Sequence, residues 1–295
     1  MQEYMDSLNQ PAILQQFLSL GNDLTDQDYT AAKQNIYKNN FSNTLASEKY
    51  RVKLQNSNPD YINASFVLGY IATQQPNGHT IPDFWKMIYQ NKCPVIINLT
   101  DNTNYLDFED KQNYGNISVS ISDQEVSKGF IKTVLLMEGD AGRLNVFHIT
   151  FLKWEDFGVP KEKYLVKLLD LVNLVDSKAG QIVVHCRAGV GRTGTFILIR
   201  HMLQKFKEGI YLDPIDVVIK MRQARSGMIQ GQIQFEFAIS VLLDYLNHQL
   251  PKNNRRLSRS VDKIKTKGIN KTHKRNLRGS CGSPKRDVVP KEIEI

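Results

Sequence analysis

The segment HCRAGVGRTG, residues 185–194, has the residue types and spacing that could carry chemistry. It lies between a short apolar run, QIVVHC, that predicts a buried strand, and a segment whose apolar residues have helical spacing. A loop in that position directs backbone N–H groups to one place, at the positive end of the helix dipole. Gly189 and Gly191 permit a tight turn, and Arg192 can bind two phosphate oxygens. The sequence therefore predicts a phosphate-binding loop.

Cys186 begins this loop, where its sulfur could act as a nucleophile. The positive potential that attracts phosphate also favours a thiolate over a thiol. A lone cysteine after an apolar strand is more often a buried structural thiol, but the glycine-rich turn and the arginine six residues later favour catalysis. The sequence lacks the lysine-bearing nucleotide loop Gly-x4-Gly-Lys-Ser/Thr, which disfavours ATP or GTP binding.

The helices and strands that must position this loop can also be predicted from the sequence. Together they indicate one mixed α/β domain over residues 1–250. Helical patterns alternate with strand-like runs such as DYINASFV, CPVIINLT, FIKTVLLM and RLNVFHITFLKW. Asp213 directly before Pro214 predicts the start of a late helix. A chain of 295 residues, 41% of them hydrophobic, is long enough to bury a substantial core.

Positive charge is concentrated at the C-terminal end of the chain. Residues 251–295 contain 14 Lys/Arg and 4 Asp/Glu, whereas the whole chain has a net charge of +8. The body is therefore nearly neutral, which argues against specific nucleic-acid binding. The segment 251–295 is poor in aromatic residues and predicts a basic, disordered tail that could contact acidic surfaces. The oligomeric state has no signal in the sequence.

The cysteine content and the apolar runs limit the location and the cofactors. Three widely spaced cysteines, Cys93, Cys186 and Cys281, disfavour a disulfide framework and favour a reducing compartment. No pair spaced as Cys-x-x-Cys or His-x3-His indicates a metal site, and we expect neither a metal nor another cofactor. The sequence has no apolar run of about 20 residues, and MQEYMDSLNQ does not resemble a secretory signal. We expect a cytoplasmic protein.

The cysteine and the arginine six residues later resemble the signature of the cysteine-dependent protein tyrosine phosphatases. Further matches follow in the order typical of that family: DYINAS at 60–65, YIATQ at 70–74, DFW at 83–85, WEDFGVP at 154–160, and Gln230 with Gln234. The resemblance covers roughly residues 35–245 and implies a central twisted mixed β-sheet flanked by helices. Some of the minor family motifs are altered, as described below. The compact size and these altered motifs look most like the divergent tyrosine phosphatase-like proteins of bracoviruses, and a viral origin would imply the cytoplasm of the host cell.

The resemblance implies hydrolysis of phosphotyrosine in proteins, with a role for each matching residue. Cys186 attacks phosphorus and forms a phosphocysteine intermediate. Asp156 protonates the leaving phenolate and then acts as base for the attacking water. Arg192 holds the phosphoryl oxygens. The loop backbone also holds them, through Arg187, Ala188, Gly189, Val190 and Gly191.

Other matching residues have supporting roles. Gln230 positions the water, and Gln234 is a candidate substrate-binding residue. Thr193 hydrogen-bonds the sulfur and is also a candidate helix N-cap. His185 orders the loop and assists formation of the thiolate.

Selectivity for phosphotyrosine needs an aromatic wall beside the pocket. Lys38-Asn39-Asn40-Phe41 resembles the loop whose tyrosine stacks on the substrate ring in the family, and Phe41 keeps that ring. Asn43 stands where the family has an aspartate that binds the substrate backbone, so the expected peptide affinity is lower. Glu155 replaces a proline of the acid loop, the segment 154–160 that carries Asp156, and Gln75 replaces a glycine of the family motif that follows YIATQ. The segment DKQNYG at 110–115 is the remnant of a motif that supports the acid loop.

Two alternatives remain open on these residues. Glu155, Asn43 and the degraded supporting motif suit a catalytically weak pseudophosphatase that binds phosphotyrosine proteins. Arg187 in the loop suits a dual-specificity or phosphoinositide phosphatase, although Val190 and Phe41 favour phosphotyrosine.

Overall fold

A computed structural model describes residues 1–21, 27–106, 111–176 and 180–249 of the chain. Met1–Leu246 form one compact unit and Asn247–Ile295 a second, of which only residues 247–249 are described. The predicted boundary at residue 250 and the predicted disordered tail lie outside the described residues, so both stay predictions.

The described ranges contain α-helices, β-strands and two short 3-10 turns. The helices are α1 (Gln2–Leu8), α2 (Pro11–Ser19), α3 (Thr30–Gln34), α4 (Ile81–Gln90), α5 (Glu162–Val175), α6 (Gly191–Lys207), α7 (Pro214–Ala224) and α8 (Gln232–Gln249). The strands are β1 (Arg51–Lys53), β2 (Tyr61–Val67), β3 (Tyr70–Gln74), β4 (Val95–Asn98), β5 (Gln112–Tyr114), β6 (Ile117–Ser127), β7 (Phe130–Gly139), β8 (Gly142–Phe151) and β9 (Ile182–Cys186). The 3-10 turns are Ile36–Lys38 and Asn104–Leu106. None of the described helices is both long enough and apolar enough to span a bilayer.

The strands form a single nine-stranded mixed sheet in the order β1-β2-β3-β9-β4-β8-β7-β6-β5. Strand β9 is central and pairs in parallel with β3 and with β4, and β4 pairs in parallel with β8. The remaining pairs are antiparallel. The predicted α/β fold with a central mixed sheet flanked by helices is confirmed.

The central strand is buried on both faces, as is usual where helices cover a parallel sheet. On one face, His185 contacts the ring of Phe84 in α4. Since successive side chains of a strand point to opposite faces, Cys186 projects to the other face. Helix α6 continues the chain there and packs on β9 and β3.

The parallel strands bring distant parts of the sequence to one edge of the sheet. Strands β3, β4, β8 and β9 end there at Gln74, Asn98, Phe151 and Cys186, respectively. Because ligands of such sheets bind outside the carboxyl ends of the strands, this edge is the place to look for a site. The phosphate-binding loop and the acid loop both follow strands that end there.

The structure differs from the sequence-based expectations in three elements. Strands β5 and β6 were not predicted, because β6 is buried only near its start and its segment 123–126 is exposed. Helix α6 begins at Gly191, so the second half of the glycine-rich segment is its first turn rather than a loop. The predicted start of α7 is confirmed: the carboxylate of Asp213 accepts a hydrogen bond from the Ile215 backbone N–H at 2.7 Å.

A pair of carboxyl groups links the first turn of α5 to α8. Glu162 hydrogen-bonds Asp244, and its own burial is the largest cause of an elevated pKa. Burial, the hydrogen bond and repulsion by Asp244 together raise the pKa of Glu162 from 4.5 to about 7. The fold therefore favours the protonated form of Glu162.

This pair predicts a stability that decreases as the pH rises. The folded-state pKa of Glu162 is above its unfolded value. The stability that protonated Glu162 contributes to the fold is therefore fully present below pH 4.5 and is lost as the pH rises through 7. Glu162→Gln should reduce the difference in urea midpoint between pH 5 and pH 8, measured by circular dichroism. Asp170→Asn, which neutralises an exposed carboxylate of the same helix, is the matched control. Parallel pH curves for wild type and Glu162→Gln would contradict the prediction.

Candidate active site

The signature loop, residues 186–192, presents a row of free hydrogen-bond donors. It joins the end of β9 to the first turn of α6. Among the described residues, the backbone N–H groups of 188–193 have no acceptor, and Gly194 is the first to donate within the turn, to the Val190 carbonyl at 2.9 Å. Unpaired amides at a helix N-terminus form a site for an anion.

Gly189 sets the curvature of the signature loop. Its φ is +72°, and a β-carbon there would lie 2.1 Å from the Thr73 carbonyl oxygen of β3. Only glycine fits such a contact at a positive φ. The backbone of the loop therefore passes directly against the neighbouring strand.

Arg225, which the sequence did not single out, holds the loop from beneath. Its guanidinium donates to the carbonyl oxygens of Gly189 at 2.9 Å and Ala188 at 3.1 Å, and to Asn63 Oδ1 at 2.8 Å. Burial lowers the pKa of Arg225 to about 10, so it remains charged at neutral pH. By engaging these carbonyls, Arg225 leaves the amides of the loop directed toward a ligand. Only the folded chain brings Arg225 to the loop, so local sequence carries no signal for it.

Both cysteines of the described ranges are free thiols, and their surroundings differ. Cys93 packs in the hydrophobic core, where burial raises the pKa of its thiol to about 12. Cys186 is 3% exposed and lies at the open end of the signature loop. Cys186 is thus the described cysteine that stands beside an anion site. No cluster of three or more possible metal ligands occurs in the described ranges.

The side chain of Arg192 is buried at the base of the site and bonds the acid loop, residues 154–160. Its Nη1 donates to the Trp154 carbonyl oxygen at 2.8 Å, and its Nη2 lies 3.1 Å from Asp156 Oδ1. Its Nε is buried without a partner among the described residues. The structure thus brings the predicted arginine and the predicted acid together and leaves a donor for a further anion.

The expectation that Thr193 caps α6 is wrong. Val190 occupies the N-cap position, and Thr193 lies within the first turn of the helix. The Thr193 hydroxyl is buried and has no hydrogen-bond partner among the described residues, the sulfur of Cys186 included. It remains available to a group that forms in the site.

The acid loop keeps a closed turn although Glu155 replaces proline. The Trp154 indole N–H donates to the Gly158 carbonyl oxygen at 2.9 Å, and the Gly158 N–H donates to the Glu155 carbonyl oxygen at 3.2 Å. The indole is buried against Phe151 and Phe237. These contacts fix the base of the loop, while Asp156 remains 38% exposed at its tip.

The two predicted glutamines lie over the first turn of α6. A β-carbon on Gly191 would be 2.6 Å from Gln230 Oε1 and 3.2 Å from the amide group of Gln234. The Gln230 backbone N–H donates to Gln234 Oε1 at 3.3 Å. Both side chains line an open cavity of about 630 Å³ together with Asn43, Phe157 and Val190. The cavity lies on the predicted substrate side of the loop.

The substrate loop, residues 38–43, is tied to the sheet and to α4. Lys38 is buried and forms a 2.9 Å ion pair with Asp83. The Asn40 amide donates to the Gln75 carbonyl oxygen at 2.7 Å. These contacts leave Phe41 half-buried and Asn43 exposed at the rim of the cavity.

Beneath the loop, on the opposite face of β9, a tyrosine connects two histidines. The Tyr105 hydroxyl lies 2.6 Å from His185 Nε2 and 2.7 Å from His148 Nε2. Burial, with a smaller effect of His148, lowers the pKa of His185 well below its usual value. A neutral His185 can orient the strand but adds no positive charge to the site.

The structure shows no contact between the described part of the segment 110–115 and the acid loop, so its predicted supporting role stays a prediction. In the described part of that segment, Tyr114 stacks on Trp85 instead of contacting the histidines. The sequence missed Tyr105 because no short motif marks it.

Gly189→Ala should abolish activity. The new methyl group would collide with the backbone of β3, so the loop must move and its amides lose their common direction. We expect at least a hundredfold loss of kcat/KM for p-nitrophenyl phosphate, about the effect of losing one oxyanion donor. Gly209→Ala is the matched control, because its φ of +78° carries a similar backbone cost with nothing within 4 Å. Equal activity of the two variants would contradict this role of Gly189.

Comparison with known proteins agrees with this geometry. The family model "Protein-tyrosine phosphatase" matches residues 35–244. The chain is 33% identical over 248 residues to "Protein-tyrosine-phosphatase PTP1" of Arabidopsis thaliana, covering 72% of this chain and 71% of that protein. It is 30% identical over 261 residues to mouse "Tyrosine-protein phosphatase non-receptor type 20", covering 81% of this chain and 61% of that protein.

Receptor-type proteins also match, over a smaller share of their length. Human "Receptor-type tyrosine-protein phosphatase C" is 34% identical over 237 residues, which are 72% of this chain and 18% of that protein. The predicted family is confirmed, and the chain belongs to the protein-tyrosine phosphatases, whose activity is the hydrolysis of phosphotyrosine.

Proposed function

We propose that this chain hydrolyses phosphotyrosine in proteins through a phosphocysteine intermediate on Cys186. One observation supports the proposal: Cys186 ends β9 at the start of the loop whose amides are free, and Asp156 lies 3.1 Å from Arg192 of the same loop. We take these residues as the nucleophile, the anion-binding loop and the proton donor of one site. This set of groups suits in-line displacement at phosphorus.

In the first step, the Cys186 sulfur attacks phosphorus while the bond from phosphorus to the tyrosine oxygen breaks. The loop amides and Arg192 stabilise the equatorial oxygens, where negative charge develops. Asp156 donates its proton to the departing phenolate oxygen. In the structure Asp156 is ion-paired with Arg192, so the phosphoryl group must displace it from the guanidinium. The released carboxylate must then take a proton from solvent before it can protonate the leaving oxygen.

In the second step, water attacks the phosphocysteine and the S–P bond breaks, which releases inorganic phosphate. Asp156, now a carboxylate, accepts the proton of that water. Gln230 is placed to orient the water, since its side chain reaches the first turn of α6. The buried, unpartnered Thr193 hydroxyl is placed to donate to the departing thiolate.

Phosphotyrosine is the substrate class that the pocket supports best. Phe41 offers an aromatic face beside the signature loop, and the cavity of about 630 Å³ has room for a phenyl ring. Val190 contributes an apolar side chain at the centre of the loop, where a highly charged substrate would favour a cation.

Two substitutions test the reaction. Cys186→Ser should show no turnover of p-nitrophenyl phosphate under reducing conditions at about pH 6, because an alcohol is not ionised there. Asp156→Ala should lower kcat by about 10²- to 10⁴-fold through loss of general acid catalysis. The measurement is release of p-nitrophenol. A Cys93→Ser variant, altered at a cysteine far from the loop, should keep its activity, and wild-type activity in Cys186→Ser would refute the proposal.

A third substitution tests peptide recognition. Asn43→Asp places a carboxylate at the cavity rim, where it can accept hydrogen bonds from substrate amides. We expect a KM for phosphotyrosine peptides lower by about three- to tenfold, a factor that corresponds to the net value of about one ordinary hydrogen bond. The KM for p-nitrophenyl phosphate, which has no peptide backbone, should not change. A parallel change for both substrates would exclude this role of residue 43.

The alternatives have distinct outcomes in the same assays. Tight binding of phosphotyrosine peptides without release of phosphate would make the chain a phosphotyrosine-binding pseudophosphatase, as Glu155 and Asn43 suggest. Faster turnover of phosphothreonine peptides or phosphoinositides than of phosphotyrosine would make it a dual-specificity or phosphoinositide phosphatase.

We also propose that a catalytic domain over residues 1–250 precedes a basic tail that contacts acidic surfaces. The 14 Lys/Arg of residues 251–295 support this division. A cytoplasmic location and a relationship to the bracovirus phosphatase-like proteins complete the proposal. They are supported by the cysteine content and by the substitutions at Gln75, Asn43 and Glu155.

A further inference from the structure

Arg187, the first residue after the nucleophile, contacts both of the other loops at the site. Its guanidinium carbon lies 5.6 Å from the centre of the Phe41 ring in the substrate loop. Its Nη1 lies 3.9 Å from Asp156 Oδ2 in the acid loop. The side chain is 68% exposed, so burial in the core does not explain its position.

Asp156 lies between two arginines of the signature loop. Arg192 contacts Oδ1 at 3.1 Å, and Arg187 faces Oδ2 at 3.9 Å. According to the proposed reaction, the phosphoryl group takes over the donors of Arg192. Arg187 is then the one cation within 4 Å of the Asp156 carboxyl group, as far as the structure describes the chain.

The tip of the acid loop is exposed: Phe157 is 71% exposed and the Asp156 side chain 38%. A cavity of about 360 Å³ lies against the loop and is lined by both polar and apolar side chains. Arg187 and Arg192 line the same cavity. Since Trp154 anchors only the base of the loop, the position of Asp156 depends on polar contacts at the tip.

We propose that Arg187 is a positioning residue that keeps the general acid over the site once substrate has engaged Arg192. Its guanidinium carbon lies over the Phe41 ring, a cation–π contact that limits the directions that the exposed guanidinium can take. From this position its Nη1 faces Asp156 Oδ2. This inference rests on the proposed function, because Arg187 acts through the acid of that reaction.

The test compares substrates that need the acid to different degrees. Phenyl phosphate has a poor leaving group and depends strongly on protonation, whereas p-nitrophenyl phosphate releases a more acidic phenol and depends on it less. For Arg187→Gln we expect kcat on phenyl phosphate to fall about five- to tenfold, the size of one exposed cation–π contact and one ion pair. On p-nitrophenyl phosphate kcat should fall less than about twofold, with KM nearly unchanged for both.

Three further variants make the assignment specific. Arg187→Lys keeps the charge and should recover part of the loss. In the Asp156→Ala background, Arg187→Gln should cause no additional loss, because the group on which it acts is gone. Lys161→Gln removes an exposed cation next to the acid loop, one that has no ion pair within the described ranges, and should match wild type.

Several results would overturn the inference and leave the proposed function intact. One is an equal loss of kcat on both substrates, and another is a further loss of kcat when Arg187→Gln is added to Asp156→Ala. A third is a raised KM at constant kcat, which would mean that Arg187 binds substrate charge directly. If wild-type turnover does not require Cys186, the proposed function and this inference fail together.

Discussion

The structure depends on one arrangement: free backbone amides that converge at the carboxyl edge of a parallel sheet. A strand that ends in Cys186 and a helix that begins at Gly191 leave the N–H groups of 188–193 without acceptors. Such donors are costly to leave unpaired in a folded protein unless a ligand or water reaches them. The remaining contacts at the site keep this turn open and directed outward.

The turn is held from both faces of the sheet by residues that never meet the substrate. Arg225 binds its carbonyls on one face. On the other face, Tyr105 links His185 to His148. These partners come from distant positions in the sequence, so the geometry of a seven-residue loop is set by the tertiary fold rather than by the loop itself.

The catalytic residues could be predicted from the sequence because they lie in short contiguous motifs. Cys186 and Arg192 lie in one segment, Asp156 lies in another, and strands β3, β4, β8 and β9 have clear apolar patterns. The parts that sequence reasoning missed depend on long-range contacts. No sequence pattern indicates that Arg225 contacts the loop. Thr193 was a candidate N-cap because the first residue of α6 is set by how tightly the loop turns, which the sequence does not show. Strand β6 was hidden by its largely exposed second half.

The contact between Asp156 and Arg192 has a consequence for the charge balance of the site. The Arg192 side chain is only 7% exposed, and a buried guanidinium without an anion is strongly destabilising. Asp156 acts as a built-in counter-ion that neutralises this charge until a phosphate ester replaces it. The Asp156 carboxylate thus competes with the substrate phosphate for Arg192. A variant that lacks this carboxylate should bind oxyanions more tightly than the native protein.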